Sequence, residues 1–157
     1  MNAFNGKPNT IPWPPLIYLS AALIAYLLGR SSLAAMTLPG GPILLAAGIL
    51  LIGAGLIMDL WAARTLVKAD TTVLPHRGSR CLVTSGPFRW SRNPIYLGNT
   101  LLLTGIGLAT GNGWFVIMAI AAALVIQKLA IEREEQHLRA LFGEDYEAYC
   151  RTTRRWI

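Results

Sequence analysis

Four apolar runs, separated by polar or turn-forming stretches, constrain this chain more than any other feature. Leu16 to Leu28 is apolar apart from Ser20, and Ile43 to Ala63, Pro94 to Thr110 and Trp114 to Ile131 follow. Such blocks approach or match the roughly 20 apolar residues an α-helix needs to cross a bilayer. Only 14% of the 157 residues are charged, against about 25% in a soluble domain. The expected fold is all-α: a polytopic membrane protein with about four transmembrane helices and a cytoplasmic C-terminal helix. We read 1–157 as one domain, with anchor helices over 14–66 and a catalytic half over 67–157.

The first run is the shortest. Trp13 suits the headgroup level, and Pro14 and Pro15 are tolerated in a first helical turn. With Arg30 snorkelling and a partly apolar continuation through Ser31–Leu38, it reaches spanning length. A cleaved signal peptide is the rival reading, and cleavage leaves the remaining topology unchanged. Pro39-Gly40-Gly41-Pro42 and Gly111-Asn112-Gly113 are turn signals. Gly48, Gly53 and Gly55 in the second run, and Gly98, Gly105 and Gly107 in the third, offer surfaces for close helix packing.

Charge sets the expected orientation. Of the fourteen Lys and Arg residues, all but Arg30 fall in the N-terminal arm, the central loop and the tail. The positive-inside rule puts those segments together in the cytoplasm. The formal charge of +6 thus reflects membrane flanks and not a basic face for nucleic acid. Asp59, near the inner end of the second run, needs a partner at that depth. It either pairs with Arg64 or Lys68 or walls a polar site open to the cytoplasm. Cys81 and Cys150 lie on the reducing side, so no disulfide is expected, and no Cys/His cluster has zinc spacing. His76 reads as interfacial and His137 as a surface histidine. Arg151, Arg154, Arg155 and Trp156 read as an interfacial anchor.

The polar stretch 71–98 carries the chemistry. It holds a Ser85-Gly86-Pro87 turn, two aromatics (Phe88 and Trp90), Arg92, a second proline break and Tyr96, and runs straight into the third apolar run. The N-terminus of that helix offers free N–H groups to an anion. The aromatics suit a flat base or a sulfonium, and Glu134 or Glu135 suits an ammonium group. Together these fit an amino-acid-bearing cofactor such as S-adenosylmethionine. The chain has no GxGxxG, P-loop, HExxH or GxSxG motif.

The segment LVTSGPFRWSRNPIYLG (82–98), followed past two apolar runs by EREEQHLRALFGEDYEAY (132–149), resembles the isoprenylcysteine carboxyl methyltransferase and phospholipid methyltransferase superfamily of integral membrane enzymes. The pattern SGP-Y/F, R-H/N-P-x-Y-x-G, E-E-x-x-L and F-G-x-x-Y is complete and in order over about 59–157. The resemblance implies a helical membrane fold without a Rossmann domain, and a lipophilic or prenylated substrate. It implies S-adenosylmethionine held between the central loop, the start of the third helix and the C-terminal helix, with S-adenosylhomocysteine as product. Cofactor contacts carry over to Arg80, Cys81, Leu82, Val83, Phe88, Asn93, Pro94, Ile95, Tyr96 and Glu134, and catalytic roles to Arg92, Tyr96 and Glu134. Asn93 stands where many members have histidine. The substrate-side arginine of the eukaryotic enzymes falls on Ala130, a departure that separates this chain from the prenylcysteine pattern.

The expected mechanism is in-line displacement at the cofactor methyl, where positioning and water exclusion matter most. A carboxylate acceptor is already ionised at neutral pH, whereas an amine or thiol must lose a proton and no strong base is evident. This favours carboxyl O-methylation over N-methylation of a phospholipid headgroup. The non-enzymatic reading, a membrane scaffold or small transporter, predicts no saturable cofactor binding. The expected location is the bacterial inner membrane, with the site facing the cytoplasm.

Overall fold

The computed structural model describes residues 13–31, 36–70 and 81–157. All regular structure among them is helical: α1 (Trp13–Arg30), α2 (Pro42–Lys68), a 3-10 turn (Gly86–Arg89), α3 (Pro94–Thr110), α4 (Gly113–Ile126), a π-helical turn (Gln127–Ile131) and α5 (Glu132–Thr152). Proline opens both α2 and α3, where a missing N–H costs nothing because first-turn donors have no partner in the helix. The Asn112 side chain accepts from the Trp114 N–H and caps α4. Two helices are long and apolar enough to cross a membrane, α2 and the continuous α4–α5 run. The 27 residues of α2 extend about 40 Å at 1.5 Å per residue, more than a hydrocarbon core of roughly 30 Å.

The tightest packing is between α2 and α3. Gly48 lies against Gly105, and Gly55 against Gly98. A Cβ on Gly48 or Gly105 would sit 2.7 Å from the other's carbonyl oxygen, and one on Gly55 would lie 2.6 Å from the Gly98 oxygen. The seven-residue spacing on both antiparallel helices keeps the contacts in register, so the small residues singled out in the sequence become the surface along which backbones meet. Helix α1 packs on α4, and α3 on both α2 and α4. Ala25, Leu103, Phe115, Ala119, Ala122 and Ile126 form the apolar centre. Leu50, 72% exposed, and Ile43 and Ile57 point outward from α2, the arrangement of a helix whose outer face meets lipid.

The first apolar run ends sooner than its sequence suggests. Helix α1 stops at Arg30, and the described part of the expected continuation, Met36–Leu38, is extended. Gly113 N–H donates to the Met36 carbonyl and Leu38 N–H to the Gly111 carbonyl, each at 2.8 Å. Pro39 disfavours helix in the residue before it, and the segment pairs with the α3–α4 turn instead. Asn112 also donates to the Ala25 carbonyl at 3.2 Å, tying that turn to α1. The fourth run continues into α5 through the π-helical turn, which buries Ala130 and Ile131. Gly143 then bends α5, with φ 49° and ψ −121°, a conformation costly for any residue with a Cβ.

Candidate functional site

The loop leading into α3 is shaped by Pro87 and Pro94 and held from two sides. Pro87 is fully buried, and the 3-10 turn it opens closes with the Trp90 N–H donating to the Pro87 carbonyl at 3.1 Å. Trp90 meets Trp61 of α2 edge-to-face, with centroids 5.4 Å apart. Tyr149 of α5 donates its hydroxyl to the Phe88 carbonyl at 2.6 Å. Cys81 donates to the Ala69 carbonyl at 3.1 Å. The loop is thereby fixed between the end of α2 and the far half of α5.

Two of the assigned catalytic residues touch. The Tyr96 hydroxyl donates to Glu134 Oε1 at 2.7 Å, joining the first turn of α3 to the first turn of α5. Tyr18 of α1 supports the same turn, donating to the Tyr96 carbonyl at 2.8 Å and lying 2.6 Å from the Thr100 hydroxyl. Glu134 lies three residues beyond the apolar run. Burial raises its carboxyl to about 7, the Tyr96 hydrogen bond acts the other way, and the neighbouring Glu135 adds to the rise.

Glu135, only 4% exposed, is the charged centre next door. Arg155 grips it with two parallel contacts, Nε to Oε1 at 2.9 Å and Nη2 to Oε2 at 2.8 Å. Arg92 Nη1 lies 3.2 Å from Oε1 and Arg139 Nη2 3.9 Å from Oε2. Arg92 Nη1 also donates to Cys150 Sγ at 2.7 Å. Its Nε is buried and has no acceptor among the described residues, leaving a cationic donor of the kind an anionic ligand takes.

A shallow cleft, half open to solvent, lies beside this cluster. Of the residues assigned from sequence, Cys81, Leu82, Val83, Phe88 and Arg92 line it. Leu66, Leu138 and Tyr149 complete the wall; these the sequence reading missed. Leu138 is the Leu of E-E-x-x-L and Tyr149 an aromatic at i+3 from Tyr146, so periodicity flagged them only as packing. Pro94 is buried and Ile95 half-buried at the start of α3. Asn93 spends its side-chain amide on the Arg155 carbonyl at 2.9 Å. Arg80 and His76 lie outside the described residues.

Three sequence expectations change. His137 is buried, 4% exposed, and its Nε2 has no partner among the described residues; it lies on the inward side of α5, and burial lowers its imidazole. Asp59 packs against Gly98 and has a buried Oδ1 without a partner, where a pair with Arg64 or Lys68 was one reading. The sequence placed Arg155 and Trp156 at the headgroups. Arg155 instead neutralises a buried glutamate, and Trp156 donates to Gln127 Oε1 at 2.9 Å. Ala130, where the eukaryotic substrate arginine would fall, is fully buried.

Residues 43–145 match the family model described as phospholipid methyltransferase. The cobalt-zinc-cadmium resistance protein CzcN of Cupriavidus metallidurans is 30% identical over 112 residues, 71% of this chain and 48% of that protein. The nickel-cobalt-cadmium resistance protein NccN of Alcaligenes xylosoxydans xylosoxydans is 29% identical over 138 residues, 87% of this chain and 59% of that protein. An uncharacterised protein of Haemophilus influenzae is 36% identical over 63 residues, 40% of this chain and all of that one. The chain thus spans about half the length of the two resistance proteins. With the family model matching about two thirds of its residues, this chain belongs to the phospholipid methyltransferase family, integral membrane methyltransferases that include the isoprenylcysteine carboxyl methyltransferases.

Proposed function

We propose that the chain is an S-adenosylmethionine-dependent methyltransferase that acts on a lipophilic acceptor at the cytoplasmic face of a bacterial inner membrane, transferring the methyl group to a carboxylate oxygen in the isoprenylcysteine manner. The observation that carries this is the meeting of Tyr96 with Glu134 at 2.7 Å; Cys81, Leu82, Val83, Phe88 and Arg92 line a cleft that neither of these two residues lines. Two distant polar segments converge, and each brings the chemistry one end of the cofactor needs. The buried, unpaired Nε of Arg92 fits a carboxylate, Glu134 fits an ammonium group, and Phe88 offers an aromatic wall.

In this reading α1 to α4 each cross the bilayer. The uncharged connections at 36–41 and 111–112 lie on one side. The loop, α5 and nearly all the basic residues lie on the other, as the positive-inside rule asks. The three curated relatives are all bacterial proteins.

When bound, the cofactor supplies an electrophilic methyl on a sulfonium. Transfer of that methyl to an acceptor carboxylate would leave the electron pair on sulfur and would move no proton. The residues of this chain therefore need to bind, align and exclude water more than to act as acid or base. Arg92 and Glu134 fix the two charged ends, Tyr96 orients Glu134, and Leu66 and Leu138 keep the cleft wall dry.

The phospholipid methyltransferase description of the family model favours a second reading, N-methylation of a lipid headgroup amine, in which a proton must leave with the transfer. Purified protein with radiolabelled cofactor, offered prenylated thiol carboxylates, fatty acids and aminophospholipids, decides between them. A base-labile labelled ester supports the first reading, and label stable to base on an aminophospholipid supports the second. No saturable binding of S-adenosylmethionine or S-adenosylhomocysteine would reject both and leave a scaffold or transporter.

A further inference from the structure

The family match ends at residue 145, yet the segment after α5 reaches back into the site. From Thr153, which is extended at φ −128° and ψ 130°, the chain runs along Arg89–Asn93. The Arg92 N–H donates to the Arg154 carbonyl at 3.0 Å. The Arg155 carbonyl accepts from Ser91 Oγ at 3.3 Å and from Asn93 Nδ2 at 2.9 Å. The guanidinium of the same Arg155 makes the two-pronged contact with Glu135. One residue thus holds the loop with its backbone and the buried glutamate with its side chain, and both of those bear on Arg92.

We infer that Arg155 is a positioning residue for the cofactor cleft, acting through Glu135 and Asn93 to hold Arg92 where its free Nε faces an anionic ligand. The identity of that ligand rests on the methyltransferase reading above; the mechanical coupling does not. Without the Arg155 fork, a buried carboxylate keeps only Arg92 at 3.2 Å and Arg139 at 3.9 Å. A buried charge that loses its main partner recruits what remains, so Arg92 moves onto Glu135 and away from both Cys150 and the cleft. The Asn93 contact, made to the Arg155 backbone carbonyl, remains when only the side chain changes. An anchoring role alone does not account for Arg155, because its charge is neutralised inside the protein while Arg151 and Arg154 stay exposed.

Two measurements on the full chain in detergent test this, with Arg155→Ala and Arg155→Lys. The first is calorimetric binding of S-adenosylhomocysteine, with cofactor and acceptor KM alongside. The second is the alkylation rate of Cys150, followed by peptide mass spectrometry. Arg155→Ala is expected to weaken binding at least tenfold, raise cofactor KM and leave acceptor KM within twofold. Cys150 alkylation is expected to slow at least fivefold as Arg92 leaves the sulfur, because alkylation goes through the thiolate that a neighbouring cation favours. Arg155→Lys keeps the charge without the fork and is expected to fall between wild type and Arg155→Ala; it carries the test if Arg155→Ala does not fold. Both rates and affinities within twofold of wild type in a folded variant overturn the inference. If wild type binds no S-adenosylhomocysteine, the methyltransferase reading fails, and Cys150 alkylation alone decides the coupling.

Discussion

The Tyr96 hydroxyl and the Glu134 carboxylate, 38 residues apart in sequence, meet at 2.7 Å. Neither can move without disturbing the other: losing the tyrosine hydroxyl leaves a buried carboxyl short of a donor, and losing the carboxylate removes the acceptor of a buried phenol. Glu134→Gln is expected to cut S-adenosylhomocysteine affinity more than tenfold, about 1.4 kcal/mol. Tyr96→Phe is expected to weaken it too, and the double variant to lose less than the sum. Calorimetry on purified protein checks all three, and unchanged binding in Glu134→Gln removes it from the cofactor site.

The same pair makes affinity depend on pH. Glu134 is raised to about 7 in the ligand-free fold, first by burial. A carboxyl raised above its unfolded value favours folding while protonated; that contribution is present below its ordinary value and is lost as pH rises through about 7. Binding of an ammonium group runs the other way, because it needs the ionised form. Affinity for S-adenosylhomocysteine is expected to rise roughly tenfold from pH 6 to pH 8. In Glu134→Gln the profile over that interval should be flat, and a profile as steep as that of wild type would place the titration elsewhere.

Arg92 is expected to matter through its charge. Arg92→Ala leaves Glu135 with the Arg155 fork, so the fold survives, while the cleft loses its free cationic donor. The expected result is a fall of at least tenfold in kcat/KM, about 1.4 kcal/mol of transition-state stabilisation. Full turnover in the labelled-cofactor assay would take Arg92 out of the site.

The α2–α3 contact gives a stability test that does not depend on function. In Gly55→Ala the new Cβ would meet the Gly98 carbonyl oxygen at 2.6 Å, whereas a Cβ on Gly53 meets nothing within 4 Å. Gly55→Ala is expected to destabilise the protein by about 1–3 kcal/mol, seen as a lower Tm in detergent. Gly53→Ala is expected to leave Tm unchanged or slightly raised. Equal Tm values for the two variants would contradict the close approach of these helices.

Hydropathy blocks and glycine spacing made much of this fold legible. Helix α3 runs from Pro94 to Thr110, as the proline and the following Gly-Asn-Gly turn require, and Gly48 and Gly55 of α2 do face Gly105 and Gly98 of α3. The candidate site was legible in part, because the motif residues Cys81 to Val83, Phe88 and Arg92 line one cleft. Periodicity could not show which charges turn inward. Glu135 and Arg155 are ordinary surface types until α5 and the following segment fold over the loop, and only then does each neutralise the other. His137 was misplaced for the same reason. A lone histidine among the many charged residues of α5 gives no sign of the side that will be covered.

The π-helical turn at Gln127–Ile131 works as a phase setting. It inserts extra arc between α4 and α5, so α5 presents Glu134 to Tyr96 only at this particular residue count. Deleting one residue there would swing every later side chain by about 100°, keep composition and hydropathy almost intact, and aim the carboxylates at the wrong neighbours. In this protein, helix winding number is as much a part of the active constellation as any side chain in it.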